Sequence, residues 1–151
     1  MSLEQNKAIV LQWYKAYNQG NLEQMKELLA QNGVVHSLGS VIHGRDQFLE
    51  YIQTFRSAFP DSYHTFEDVI AEDDKVVTRG TLTGTHRGEF LGIEPTGKQV
   101  MCSVVHVDRL RDGKVIEHWG LGDLLAMMQQ LRGENLVYSG SQLSRIQNQL
   151  Q

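Results

Sequence analysis

Two residues in the C-terminal third of the chain have the chemistry to move a proton. Asp123 stands where a β-rich run gives way to a helix, and His106 lies in the strand before it, within Cys102-Ser-Val-Val-His-Val-Asp108. A carboxylate in an apolar hollow has its pKa raised toward neutrality. That suits removing a proton α to a carbonyl and returning it after bond formation. An imidazole beside it orients or polarises the carbonyl as the enolate forms. Both residues also have ordinary structural uses. Asp123 is placed to cap the helix that begins at Leu124, and His106 to hydrogen-bond within the sheet. The roles of Asp123 compete, because a carboxylate fixed to backbone N–H groups has a lowered pKa and is a weak base.

The remaining histidines widen the choice. His118 and Trp119 alternate on one strand, so only one of them faces inward, and the pattern leaves open which. His36 and His86 are candidates for the pocket mouth. Three histidines on one cavity raise the question of a metal, but none has the H-x-x-x-H spacing of a helical zinc site, so no metal is expected. The glycine-containing loops carry neither the P-loop nor the dinucleotide fingerprint. Cys102 is the single cysteine and reads as a small buried hydrophobe.

These side chains must be positioned by elements that the periodicity makes legible. Ile9, Val10, Trp13, Tyr14 and Tyr17 recur at helical spacing over residues 3–18, with Ser2 as N-cap and Gly20 as terminator. A second helix runs from Leu22 to Ala30, broken by Asn32-Gly33, and a short strand follows at Val34–Leu38. Gly39 to Gly44 reads as a loop. A third helix spans Arg45–Phe59 and stops at Pro60. From Ser62 the period becomes two: strands at Phe66–Ala71, Val76–Thr85, Lys98–Arg111 and Lys114–Trp119. The third and fourth are joined by Asp112-Gly113, a strong hairpin signal. Helices first and then an antiparallel meander predict an α+β fold, a curved sheet with helices packed on one face. The wide end of such a cone is a pocket. On alternation, Thr78, Gly80, Leu82, Gly84 and His86 share its inner face with Cys102, Val104, His106 and Asp108. Phe59 falls near the pocket floor.

The chain has 151 residues, enough for one domain with a substantial core, and a formal net charge of −4 with no basic stripe. Nucleic acid and membrane are therefore not expected partners. Neither a membrane-length apolar run nor a signal-peptide pattern is visible, so a cytoplasmic protein is expected. Residues 132–151 are rich in Gln and Ser and read as a polar tail, with Leu143, Ile146 and Leu150 spaced for a short helix. The outer sheet face carries Val77, Arg79, Thr81, Met101, Ser103, Val105, Val107 and Arg109. It is apolar enough to predict pairing with a copy of itself, a homodimer.

Several motifs together resemble one family. Phe59-Pro60-Asp61, Glu67-Asp68, Thr83-Gly84-Thr85-His86, Phe90-Leu91-Gly92-Ile93, Pro95-Thr96-Gly97 and Glu117-His118-Trp119 followed by Asp123 look like the SnoaL-like polyketide cyclases. That family belongs to the nuclear-transport-factor-2 or ketosteroid-isomerase fold group. The resemblance covers residues 1–131 and implies a conical α+β fold, an internal cavity and no cofactor. It also implies an acid/base aspartate at Asp123 and a histidine at His106. Gly80 departs from the pattern, standing where the family usually has a bulky residue, which implies an enlarged or reshaped pocket. The implied activity is aldol-type cyclisation of a small apolar carbonyl compound. The implied fold lays the first helix, with Tyr17, over the cavity, and the residue pattern adds His36, Phe59, Gly80, His86 and Trp119 as candidates around the substrate. The alternatives are a ligand-binding protein without catalysis, an isomerase, or an epoxide-type hydrolase.

Overall fold

The computed structural model describes residues 1–134 and 148–149. Its elements are α1 (Leu3–Gln19), α2 (Leu22–Leu28), β1 (Leu29–Ser37), β2 (Ser40–His43), α3 (Arg45–Ala58), β3 (Tyr63–Glu72), β4 (Lys75–Thr85), β5 (Gln99–Arg111), β6 (Lys114–Gly122) and α4 (Leu124–Arg132). The six strands form one open sheet in the order β2-β1-β6-β5-β4-β3, antiparallel throughout except where β1 runs parallel to β6. This is the expected α+β architecture.

Local chemistry sets the boundaries. α1 begins with a capping box between Ser2 and Gln5 and ends on Gly20 in the left-handed region. The β5–β6 hairpin turns at Asp112 and Gly113, both at positive φ, as two-residue hairpins require. Two expectations need correction in the N-terminal half. The second helix stops at Leu28, and the chain enters β1 there, with an irregularity between Leu29 and Val34 that absorbs Asn32-Gly33. The segment read as a loop before α3 contains strand β2. Its hairpin turns at Leu38 (φ 50°) and Gly39 (φ 75°), and a leucine at positive φ gives no sequence signal for a turn.

The inner faces are as alternation predicts: Val76, Thr78, Gly80, Leu82 and Gly84 on β4, and Val100, Cys102, Val104, His106, Asp108 and Leu110 on β5, are all buried. They support two apolar clusters. One lies under α1 and α3 and contains Val10, Trp13, Tyr14, Phe48 and Ile52. The other, around Phe59, Phe90, Met127 and Leu131, closes the opposite side under α4. The outer face carries ion pairs instead, with Arg79 bound to Glu67 and Asp68, and Arg109 to Glu117 and Asp74. The helix considered for Leu143, Ile146 and Leu150 lies outside the described residues.

Candidate active site

Between the two clusters lies a cavity of about 140 Å³. Trp13, Tyr14 and Tyr17 of α1, Phe48, Tyr51, Ile52 and Phe55 of α3, and Leu124 and Met127 of α4 form most of its apolar wall. The sheet contributes the polar groups: His64 from β3, His106 from β5, and His118 with Gly120 from β6. Strand register brings these together, because His106 lies opposite Gly120 and Asp108 opposite His118.

The chemical centre is Asp108. Its side chain is fully buried, a costly placement for a carboxylate unless every oxygen is bonded. Here both are. Tyr14 O–H donates to Oδ2 at 3.1 Å, and His118 Nδ1 donates to Oδ1 at 2.7 Å. A carboxylate only accepts, so the hydrogen of His118 is held on Nδ1 and the lone pair falls on Nε2. That nitrogen is directed over the bare backbone of Gly120, where an added Cβ would lie 3.0 Å from His118 Nε2 and 3.4 Å from His106 Nδ1. The arrangement is a tyrosine-anchored carboxylate orienting a histidine whose free nitrogen faces a ligand-sized space, the geometry of a general base.

His106 lies against this base, its ring stacked on His118 at 5.2 Å and edge-on to His64 at 5.2 Å. Both of its nitrogens are buried without a partner, as is Nδ1 of His64. Buried polar atoms are normally satisfied, so these mark where a polar ligand group would bind. Burial drives the His106 imidazole well below its ordinary pKa, with His118 and His64 adding to the effect. Burial likewise takes His64 down to about 3. Both are therefore neutral near pH 7, and a neutral imidazole still donates one N–H to a carbonyl oxygen. Tyr17 lines the cavity too, but its hydroxyl is engaged with Ser62 Oγ at 2.9 Å. Cys102 lines it as a buried thiol that burial pushes up to about 11.

Several residues expected around the substrate are elsewhere. Asp123 is exposed and outside the cavity lining, and its Oδ1 accepts the Ala126 N–H at 3.0 Å as the N-cap of α4. The strand continues to Gly122, three residues past Trp119, and Asp123 stands between the cavity-lining Gly122 and Leu124 with its own side chain exposed. Of the alternating pair, His118 faces inward. Trp119 lies on the outer face, stacked on His36 at 5.1 Å and 4° between planes, and His36 Nε2 meets Glu117 Oε1 at 2.9 Å. Phe59 is completely buried, but in the second cluster, stacked on His86. His86 is fully buried as well, with Nδ1 held by the Thr96 N–H and hydroxyl. Gly80 does not enlarge the pocket. An added Cβ there would lie 1.9 Å from the Thr65 carbonyl oxygen, so glycine serves close approach of β3 at the irregularity between Phe66 and Asp68.

Sequence reasoning missed Asp108–His118 as a unit, although alternation placed Asp108 inward and the cost of burying it demanded a partner. The missing fact was register. A bulge between Arg109 and Leu110 shifts the hairpin, so Asp108 falls opposite His118, an offset that the turn residues alone do not give. Among the described residues no group of three or more His, Cys, Asp or Glu is arranged to hold a metal ion, and no helix is long and apolar enough to cross a membrane. Among the described residues no arginine lines the cavity.

Fold and site thus define a pocketed α+β protein with a buried acid–base pair. The sequence profile of the SnoaL-like polyketide cyclases matches residues 7–131, and the chain belongs to that family. Among its relatives are the aklanonic acid methyl ester cyclases DauD of Streptomyces sp. strain C5 and DnrD of Streptomyces peucetius. Each is 25% identical over 130 residues, which are 82% of this chain and 79% and 88% of the respective relatives. Similar solved structures include AclR from Streptomyces galilaeus, a proposed hydroxylase, at 30% identity and TM-score 0.79, covering 89% of this chain and 100% of that one. IdmH from Streptomyces antibioticus, a proposed polyketide cyclase, is 32% identical with TM-score 0.74 over 84% of this chain and 98% of its own.

Proposed function

We propose that this chain is a cofactor-independent cyclase in which His118, not Asp123, is the acid/base group. His118 Nε2 takes a proton from the carbon α to a carbonyl. The C–H bond breaks, an N–H bond forms, and the electron pair moves onto the carbonyl oxygen. The imidazolium so formed is stabilised by Asp108, which Tyr14 holds in place. An N–H of neutral His106 supports the developing enolate oxygen. Attack of the enolate carbon on a second carbonyl of the same molecule closes a ring, and the new alkoxide takes the proton back from His118. The observation that carries this reading is the Asp108–His118 pair at 2.7 Å, with Nε2 turned to the cavity. The cyclase relatives support the reaction class.

The test is deuterium wash-in at the α-carbon of a simple enolisable ketone such as cyclohexanone in D2O, followed by NMR. The wild-type protein should accelerate it, and folded His118→Gln should not. A wild-type protein that binds ketones without exchanging them would instead favour a ligand-binding protein, the reading that a capped Asp123 also suits.

The proposal extends to a homodimer in a cytoplasmic setting. Met101, Val105 and Leu121 are exposed on the outer sheet face and Val77 and Val107 are half-buried there, which supports pairing of that face with a second copy.

A further inference from the structure

The cavity is open to solvent at one end. Ser37, Leu38, Tyr51, Gly122 and Leu124 line it there; Leu38 and Gly122 are exposed and the other three half-buried. His106 and His118 are both buried, deeper in. A ligand that reaches the histidines passes this rim.

Leu38 is the anomaly on the rim. With Gly39 it makes the two-residue turn between β1 and β2, next to the Ser37–Ser40 pair. Both turn residues have positive φ, 50° for Leu38 and 75° for Gly39, as a tight hairpin turn requires. Glycine enters that region freely and asparagine readily, whereas a leucine Cβ crowds the following carbonyl oxygen. Core packing does not offset the strain. Leu38 keeps 49% of its surface exposed and belongs to neither apolar cluster. The foot of the turn is nonetheless tied down, because the Ser37 and Tyr51 hydroxyls are hydrogen-bonded at 2.8 Å. A strained, solvated leucine anchored at the entrance of an apolar cavity has a ligand as its remaining surface to bury against.

We infer that Leu38 is a ligand-contacting residue, an apolar clasp against the part of the bound molecule that lies at the cavity mouth. It selects ligands whose outer end is apolar, and the turn gives up stability to present it. The inference rests on the reading of this cavity as the ligand site, and not on which residue moves a proton there. Leu91 offers a matched comparison. It too has positive φ (48°), precedes a glycine at positive φ and is 53% exposed, but it lies outside the cavity lining.

The test compares Leu38→Asn with Leu91→Asn in the full chain, by thermal melting and by titration with prodan, a neutral fluorescent naphthyl ketone. Asparagine is close to leucine in shape, but it is polar and favours the left-handed region. Both variants should melt higher than wild type, by about 2–4 °C. Prodan should bind the wild-type protein saturably and shift the amide signals of Gly120 and Gly122. Leu38→Asn should weaken that binding at least fivefold and Leu91→Asn less than twofold, while Leu38→Met should keep the wild-type affinity. Unweakened binding by Leu38→Asn, an equal loss in both asparagine variants, or a lower melting temperature for Leu38→Asn would overturn the role of Leu38. Prodan that leaves Gly120 and Gly122 unmoved in the wild-type protein would sink the reading of the cavity as the ligand site, and this inference with it. The expected prodan results without any α-deuteration would sink the His118 mechanism alone and leave Leu38 in its role.

Discussion

Replacing Asp108 by asparagine changes the proposed base while preserving its shape, and the consequences follow from two hydrogen bonds. The asparagine carbonyl can still accept from Tyr14, which turns its NH2 toward His118 Nδ1. Two donors cannot face each other at 2.7 Å, so His118 shifts its hydrogen to Nε2 and the lone pair no longer faces the cavity. Restoring the active tautomer would forfeit the neutral amide–imidazole hydrogen bond, about 0.5–1.5 kcal/mol, and leave a buried donor unsatisfied, at about 1–3 kcal/mol more. The sum is about 1.5–4.5 kcal/mol. At roughly 1.4 kcal/mol per factor of ten, the exchange rate should fall by about 10–10³. The assay is the initial rate of α-deuteration between pH 6 and 9, with thermal melting to show that the variant is folded. Raising the pH should not restore activity, because the defect is a misplaced hydrogen and not an unfavourable ionisation. A folded Asp108→Asn protein within threefold of wild type would refute the reasoning.

Other perturbations separate structure from chemistry. Asp123→Ala should cost about 1 kcal/mol of stability through loss of the α4 cap, while Asp123→Asn keeps a cap-competent side chain and should change neither stability nor exchange rate appreciably. Denaturant melts and the deuteration assay check both. Gly80→Ala should destabilise by about 1–3 kcal/mol or more, read as a lower melting temperature, because its Cβ would meet the Thr65 carbonyl. Acid should also weaken the fold. His64 titrates at about 3 when folded, and His106 is held well below 6.5, so the unfolded chain binds more protons than the native one in mildly acidic solution. Stability is then complete above about pH 6.5 and declines as pH falls toward 3, with a slope on the order of 1 kcal/mol per pH unit for each histidine. In melts at stepped pH, His64→Phe should flatten that slope, and an unchanged slope would contradict the assignment.

Elements whose residues announce themselves were legible in the sequence. Ser2 and Gly20 bound α1, Asp112-Gly113 turns the last hairpin, and alternation assigns the inner faces of β4 and β5. What was not legible depends on long-range placement. His36 faces away from the cavity because β1 joins β6 in parallel, a pairing that no local pattern encodes. Gly80 is glycine for the sake of a neighbouring strand, a requirement visible only once β3 is in place. Asp123 shows the limit of carrying a role along a motif. Helix-start chemistry and catalytic chemistry ask for the same residue type, and only the position of the carboxylate relative to the cavity separates them.

The ¹⁵N chemical shifts of the His118 ring in the folded chain near pH 7 test the tautomer on which the mechanism depends. A protonated Nδ1 with an unprotonated Nε2 is the predicted result. Hydrogen on Nε2, with Nδ1 bare toward Asp108, would leave no lone pair facing the ligand and would contradict the account.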